Sequence, residues 1–318
     1  MTGTQVGDKP LLLYACTGVD DNQWLAAMRR ELPELDIRTL ADDPPLEQVG
    51  MAFIWKYPAG LLASLPRLCV AFSLGAGVES ILRDPDLRED VTVVRMVDPG
   101  LAIGMNEFVL MRVLHYHRQM PEHAENQRAH RWAPCVPPLP EDRRVGILGL
   151  GELGSRCART LVNLGFDVAG WARSPRNIDG VTTFAGREQL DAFLARTEIL
   201  VCLLPLTTAT ANILDRRAIS TLPRGAYLIN VARGQHVVDE DLLAALDSGQ
   251  LRGATLDVFR EEPLPSTHPF WSHAKITVVP HVSAITQVKS AARTVAANIR
   301  RYLAGQPLQN VVDRKLGY

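Results

Sequence analysis

The stretch RVGILGLGELGSRCARTLVNLGFDVAGWARS, residues 144–174, decides the fold. It reads as an apolar strand (RVGIL), a turn carrying Gly149, Gly151 and Gly154, a helix closing on Gly165, and a second strand (FDVAGWA). Each glycine has a task at such a turn. Gly149 permits the tight bend, Gly151 lets phosphate oxygens approach the backbone, and Gly154 lets helix and strand pack closely. The free amides at the helix start, at Glu152 and Leu153, then face a pyrophosphate. This order of elements predicts a dinucleotide-binding unit rather than a glycine-rich loop without a ligand.

At the end of the second strand, a chain that binds NAD usually places Asp or Glu against the ribose hydroxyls, and that carboxylate repels a phosphate. Here stand Arg173 and Ser174, with Arg176 close by. A guanidinium and a hydroxyl suit an ester phosphate through charge-assisted hydrogen bonds, so the expected cofactor is NADP(H). The alternative, a solvated surface arginine, stays open.

Working outward, apolar runs alternate with helical patterns on both sides of this unit. LLLYAC, MAFIW, LCVAFSL and VTVVRMV precede it, with NQWLAAMRREL as a helix between the first two. EILVCLL, AYLINVA, ATLDVF and KITVVPH follow it. The two series are separated by the proline-rich WAPCVPPLPEDRR, and alternation of this kind predicts parallel sheets with helices on their faces. Residues 285–304 hold Val288, Ala292, Val295, Ile299 and Leu303 at spacings of three and four, the pattern of an amphipathic helix. Such a terminal helix must bury its apolar face, and its expected place is the first domain. The expected organisation is therefore a discontinuous domain, 1–98 with 285–318, and an inserted dinucleotide domain, 99–284.

The bounds agree. A chain of 318 residues, 47% hydrophobic, can bury the cores of about two domains. A net charge of −1 gives no general pull towards nucleic acid or anionic membrane, which points to a small-molecule partner. The five cysteines lack any CxxC pairing and fit reduced thiols in a cytoplasmic setting. LLLYAC is too short to span a membrane and reads as a buried strand. Eight histidines raise the question of a metal, but HExxH is absent and the His115/His117 spacing turns the rings apart on a helix, so no metal is expected. No GxSxG or cysteine-nucleophile pattern occurs.

In doubly wound sheets ligands bind beyond the carboxyl ends of the strands, so polar residues that follow apolar runs are the ones to collect. AYLINVARG delivers Arg233, ATLDVFREEP delivers Glu262, and KITVVPH delivers His281. Singly, each has a plain reading: a turn arginine, a surface glutamate, a capped histidine. Together they suit hydride exchange with a 2-oxo acid. Arg233 forks onto the oxo oxygen and carboxylate, His281 exchanges a proton with the oxygen, and Glu262 favours the charged ring and fixes its orientation. In the first domain CVAFSL runs into GAGV, where the amides of Leu74, Gly75, Ala76 and Gly77 form either a nest for the substrate carboxylate or a tight turn with no ligand. Trp55, Lys56 and Tyr57 follow the strand MAFI and are candidates for substrate recognition, with Trp55 foremost; Trp132 is a candidate to reach a neighbouring subunit.

FSLGAGVESIL, GILGLGELGS, FAGREQL, LLPLTTATANIL, GAYLINVARGQHVVDEDLLAALDSG, GATLDVFREEPLP, PHVSAIT and VDRKLGY span most of the chain. With these segments it resembles the D-isomer-specific 2-hydroxyacid dehydrogenases, and within them the glyoxylate/hydroxypyruvate reductase A group. The resemblance implies two doubly wound α/β parallel-sheet domains, with a Rossmann dinucleotide domain inserted in a discontinuous flavodoxin-like substrate domain, and a homodimer. It implies Arg233, Glu262 and His281 as the catalytic set and Leu74 to Val78 as a carboxylate-binding loop. By the same resemblance Leu204, Pro205, Thr210, Val231, Ala232, Asp257, Ser283 and Ala284 line the cofactor, Asp257 accepting from the nicotinamide amide. Many members carry an acid where Arg173 stands, so their NAD preference does not transfer, and Glu262 argues against formate dehydrogenase chemistry, which uses glutamine there. The expected activity is NADPH-dependent reduction of small 2-oxo acids, glyoxylate and hydroxypyruvate. The alternatives are a 2-hydroxyacid dehydrogenase with another substrate, or a dinucleotide-sensing binding protein of the same fold with little catalysis; the intact Arg, Glu and His set favours an enzyme.

Overall fold

The structure, a computed structural model, describes residues 9–317. They divide into two compact units, residues up to Leu101 together with those from Thr286, and Ala102–Ile285.

The first unit begins with β1 (Leu11–Cys16), α1 (Asp21–Glu31), β2 (Asp36–Thr39), β3 (Met51–Trp55), β4 (Val70–Ser73), α2 (Glu79–Leu82) and β5 (Thr92–Val94). Its five strands are parallel in the order β2-β1-β3-β4-β5, the flavodoxin-like arrangement. Strand periodicity sorts the side chains. Leu12, Tyr14, Phe53, Val70 and Phe72 fill one face, whereas Leu13, Ala15, Ala52, Ile54 and Ala71 fill the other.

The second unit holds most of α3 (Pro99–His117), then α4 (Met120–Arg128), β6 (Arg144–Leu148), α5 (Glu152–Asn163), β7 (Asp167–Ala172) and β8 (Thr182–Ala185). It continues with α6 (Leu190–Ala195), β9 (Ile199–Cys202), α7 (Arg216–Thr221), β10 (Ala226–Asn230), α8 (Asp239–Asp247), β11 (Leu251–Leu256) and β12 (Ile276–Val278). Its strands are parallel in the order β12-β11-β10-β9-β6-β7-β8. From β6 the chain winds first through β7 to β8, then returns to the other side of β6 through β9 to β12. That reversal is the Rossmann topology, and the point between β6 and β9 is its switch point. Val145, Ile147, Val201 and Ile229 pack with α3 and α5 on one face; Leu148, Leu200, Cys202 and Leu228 pack with α6 to α8 on the other. Both units are thus doubly wound parallel sheets.

The last helix, α9 (Val288–Leu303), packs against α1 in the first unit and buries Ala291, Ala292, Val295, Ala296 and Ile299 in its core. Arg300 and Arg301 lie in its last turn, where they complement the helix dipole, and Arg300 Nε donates to Glu34 at 2.7 Å. One expected face residue departs from the pattern. Leu303 is 41% exposed, because the helix ends one residue later at Ala304 and Gly305 turns the chain away with φ +64°.

Two strands have no counterpart among the apolar runs. DIRT (β2) and TTFA (β8) are short edge strands rich in polar residues, with Ile37 the one buried side chain between them. An edge strand packs on fewer neighbours and carries little of the apolar signature that marks a central one.

Candidate functional site

The glycine turn has a physical reason at each position. Gly149 has φ +112°, which L side chains rarely adopt, and a Cβ there would stand 2.8 Å from the Leu203 carbonyl beyond β9. A Cβ on Gly154 would lie 1.8 Å from the Gly149 carbonyl oxygen, so α5 is seated directly on the turn. Gly151, the residue before α5, is different: a Cβ there would meet nothing within 4 Å. Its bare backbone faces open space, and the first amides of α5, Glu152 and Leu153 among them, have no partner within the helix. An anion fits here. At its other end α5 closes on Gly165 (φ +86°), whose amide donates to the Val162 carbonyl while Phe166 donates to Leu161, so the chain turns straight into β7. Arg173, Ser174 and Arg176 follow β7 and are exposed.

Arg233, Glu262 and His281 all belong to the second unit, each beyond the carboxyl end of its strand, after β10, β11 and β12. His281 Nδ1 lies 2.7 Å from Glu262 Oε2. The other oxygen, Oε1, accepts from the Phe259 amide at 3.0 Å, which fixes the carboxylate plane. Burial raises the Glu262 pKa, but the hydrogen bonds from His281 and the Phe259 amide, with the charges of His281 and Arg233, outweigh it; the carboxyl is held below its ordinary value. Arg233 is therefore within electrostatic reach of the same carboxylate. The side chains of His281 and Glu262 remain partly open to solvent, as groups that meet a substrate must be.

His281 has φ +54°, in the left-handed region, which for a residue other than glycine costs about 1 kcal/mol or more. Asp257 holds it there. The His281 amide donates to the Asp257 carbonyl at 2.9 Å, and the Val282 and Ser283 amides donate to the Asp257 carboxylate at 2.8 and 3.1 Å. Asp257 is fully buried, and burial pushes its pKa up against those hydrogen bonds. Leu204, Val231, Ala232 and Ser283 are buried around these strand ends, with Ala284 packed against the same core. The Thr210 hydroxyl donates to the Pro205 carbonyl at 2.7 Å, closing the loop beyond β9.

In the first unit the loop after β4 is held more tightly than a bare nest. The Leu74 amide donates to the Ile54 carbonyl at 3.2 Å and the Gly75 amide to Ser73 Oγ at 3.2 Å. Among the described residues the Ala76 and Gly77 amides have no such acceptor. Trp55 lies across the loop: a Cβ on Gly75 would stand 2.3 Å from its ring. The Lys56 carbonyl accepts from Thr17 Oγ1, and the Tyr57 hydroxyl is committed to Asp84 at 2.9 Å. Trp132, in the second unit, is 99% exposed.

Among the described residues no group of three or more His, Cys, Asp or Glu side chains is placed to hold a metal ion, and no helix is long and apolar enough to cross a membrane. Burial pushes the Cys157 and Cys202 thiols up to about 12, which keeps them protonated and poor nucleophiles. Two buried polar residues beside Arg233, Asn230 and His236, escaped the sequence reading; the only signal was a polar residue closing one apolar run and another inside GQHVV.

The family model for the D-isomer specific 2-hydroxyacid dehydrogenase NAD binding domain matches residues 110–283. The glyoxylate/hydroxypyruvate reductase A of Yersinia enterocolitica is 44% identical over 303 residues, 93% of this chain and 96% of its own. Among solved structures, a D-isomer specific 2-hydroxyacid dehydrogenase of Xanthobacter autotrophicus in complex with NADPH and MES superposes with a TM-score of 0.93 at 41% identity, over 98% of this chain and all of that one. An NADPH-dependent glyoxylate/hydroxypyruvate reductase of Sinorhizobium meliloti in complex with NADP and sulfate gives 0.92 at 38% identity, with the same coverage. The strand orders, the glycine turn and these likenesses agree, and the chain belongs to the D-isomer specific 2-hydroxyacid dehydrogenase family.

Proposed function

We propose that this chain is an NADPH-dependent reductase that converts small 2-oxo acids, glyoxylate and hydroxypyruvate, to their 2-hydroxy acids. The observation that carries it is the 2.7 Å pair of His281 Nδ1 and Glu262 Oε2, with Arg233 acting on the same carboxylate at the carboxyl edge of the sheet that bears the glycine turn. The relatives named for this reaction, and the NADPH and NADP complexes among the similar structures, support it.

The residues present fit NADP(H): the open Gly151 backbone and the α5 amides suit the pyrophosphate, and Arg173, Ser174 and Arg176 suit a 2′-phosphate. When bound, the cofactor supplies the hydride. Arg233 orients the 2-oxo acid and polarises its carbonyl through a fork of hydrogen bonds. With Nδ1 taken by Glu262, Nε2 is the His281 atom left to give a proton to the substrate oxygen. Glu262 keeps the ring oriented through that contact. In the first unit the Ala76 and Gly77 amides of the Leu74–Gly77 loop suit a carboxylate, and Trp55 lies across that loop.

The test is loss of NADPH absorbance on adding glyoxylate or hydroxypyruvate, repeated with NADH. Turnover with kcat/KM at least about tenfold higher for NADPH is expected, since a charge-assisted hydrogen bond is worth 1.5–3 kcal/mol. No turnover with any small 2-oxo acid overturns the activity, and a clear preference for NADH overturns the role of Arg173.

Glu262→Gln keeps the shape of the pair and removes its charge. It should lower kcat/KM for the reduction by about tenfold, because the ring keeps an oriented partner but loses the anionic one. An unchanged kcat/KM would mean that the charge of Glu262 does not serve the proton step.

The second unit also exposes Met111 on α3, Met120 on α4, and Trp132, Val136 and Leu139 in the segment that follows. Apolar surface of this kind suits a second copy of the chain as partner. Light scattering should give about twice 35.0 kDa; a monomer mass at micromolar concentration would refute the dimer.

A further inference from the structure

The turn that carries Arg233 is fastened by two buried polar side chains that no step above uses. Asn230 closes β10; its Nδ2 donates to the Arg233 carbonyl at 2.9 Å and its Oδ1 accepts from the Ala232 amide at 3.2 Å. His236 is fully buried in the short turn Gly234–His236. Its Nδ1 lies 3.1 Å from that same Arg233 carbonyl, and its Nε2 lies 3.3 Å from the carbonyl of Pro205. One ring thus spans two strand-end loops, the arginine turn after β10 and the segment after β9 that Thr210 also ties to Pro205. A neutral imidazole donates from one nitrogen only, while the imidazolium donates to both carbonyls; an apolar side chain in its place donates to neither.

The turn has no room to slide. A Cβ on Gly234 would stand 2.0 Å from the Phe259 carbonyl carbon, so the backbone between Arg233 and His236 lies directly against the segment that leads to Glu262. A shift in this turn is therefore a shift of the guanidinium.

We propose that His236, together with Asn230, is a positioning residue for the reduction: it locks the Arg233 turn to the Pro205 segment, so that the guanidinium presents one orientation to the 2-oxo acid. This rests on Arg233 being the substrate clamp. Misplacing an orienting group by a fraction of its bond length lowers the rate without removing any group that touches substrate.

The test is steady-state kinetics with NADPH and glyoxylate for the wild type, His236→Phe and His236→Gln, each also made in an Arg233→Lys background. His236→Phe fills similar space without a donor, and should lower kcat by about 10–100-fold while the NADPH dissociation constant, read by fluorescence, stays within about twofold. His236→Gln keeps an amide donor and should recover part of the loss. With Lys at position 233 the fork that needs aiming is absent, so His236→Phe should cost less than about threefold there. The same factor in both backgrounds, or wild-type kcat in His236→Phe, overturns the proposal, since a merely structural role acts alike in both. Should His236→Phe fail to fold, His236→Gln and Asn230→Ala carry the same comparison. A wild type that does not oxidise NADPH removes the reductase reading itself, whereas an active wild type with indifferent His236 variants removes this inference alone.

Discussion

His281→Ala should lower kcat/KM for 2-oxo acid reduction by about 10³-fold, a loss of roughly 4 kcal/mol in transition-state stabilisation, within the range for a positioned general acid. The ring is 2.7 Å from Glu262 through Nδ1 and its side chain is partly open to solvent, so in the proposed step Nε2 is the proton donor. Binding of NADPH should be largely unchanged, because the turn at Gly149 to Gly154 and the cation at Arg173 belong to other segments of the unit. Alanine also relieves the left-handed backbone at this position no better than histidine does, so the fold around Asp257 is expected to persist. Stopped-flow or steady-state rates, with a fluorescence titration of NADPH, separate the two effects. A variant that keeps more than about a tenth of wild-type turnover removes His281 from the proton step.

Arg233→Lys should cost about 10²-fold in kcat/KM and Arg233→Ala about 10³-fold. Lysine keeps the charge but loses the planar fork, so the difference between the two variants measures how much of the effect is geometry. In the proposed role the guanidinium meets the carboxylate in the ground state and the oxo oxygen as negative charge develops on it. KM should therefore rise and kcat should fall together, rather than either alone. A variant in which Lys restores full activity would reduce Arg233 to a generic cation, and would also undercut the role given to His236, whose contacts serve only the orientation of the fork.

The parts of this fold that were legible in the sequence are those that local physics dictates. The central strands are near-continuous apolar runs because helices cover both faces of each sheet, and the glycine turn shows itself because only glycine fits at Gly149 and Gly154. The polar residues after β10, β11 and β12 stood out against those runs, and the pairing of His281 with Glu262 follows from strands β11 and β12 being neighbours. What was not legible depends on contacts between distant segments. The left-handed backbone of His281 comes from amides that meet Asp257, 24 and more residues earlier in the chain. The burial of His236 between two carbonyls depends on Pro205, on another strand-end loop. Nor does a strand-end rule tell which amides of Leu74 to Gly77 are already spent within their own loop.

The central claim is that Arg233, Glu262 and His281 serve hydride transfer from NADPH to the C2 carbon of a 2-oxo acid. The most direct measurement uses NADPH deuterated at the transferable C4 position, with glyoxylate as substrate and mass analysis of the glycolate formed. The wild type should place one deuterium on C2 of every product molecule, and His281→Ala should do so about 10³-fold more slowly. Unlabelled glycolate from the labelled cofactor, or label delivered equally fast by the variant, would contradict it.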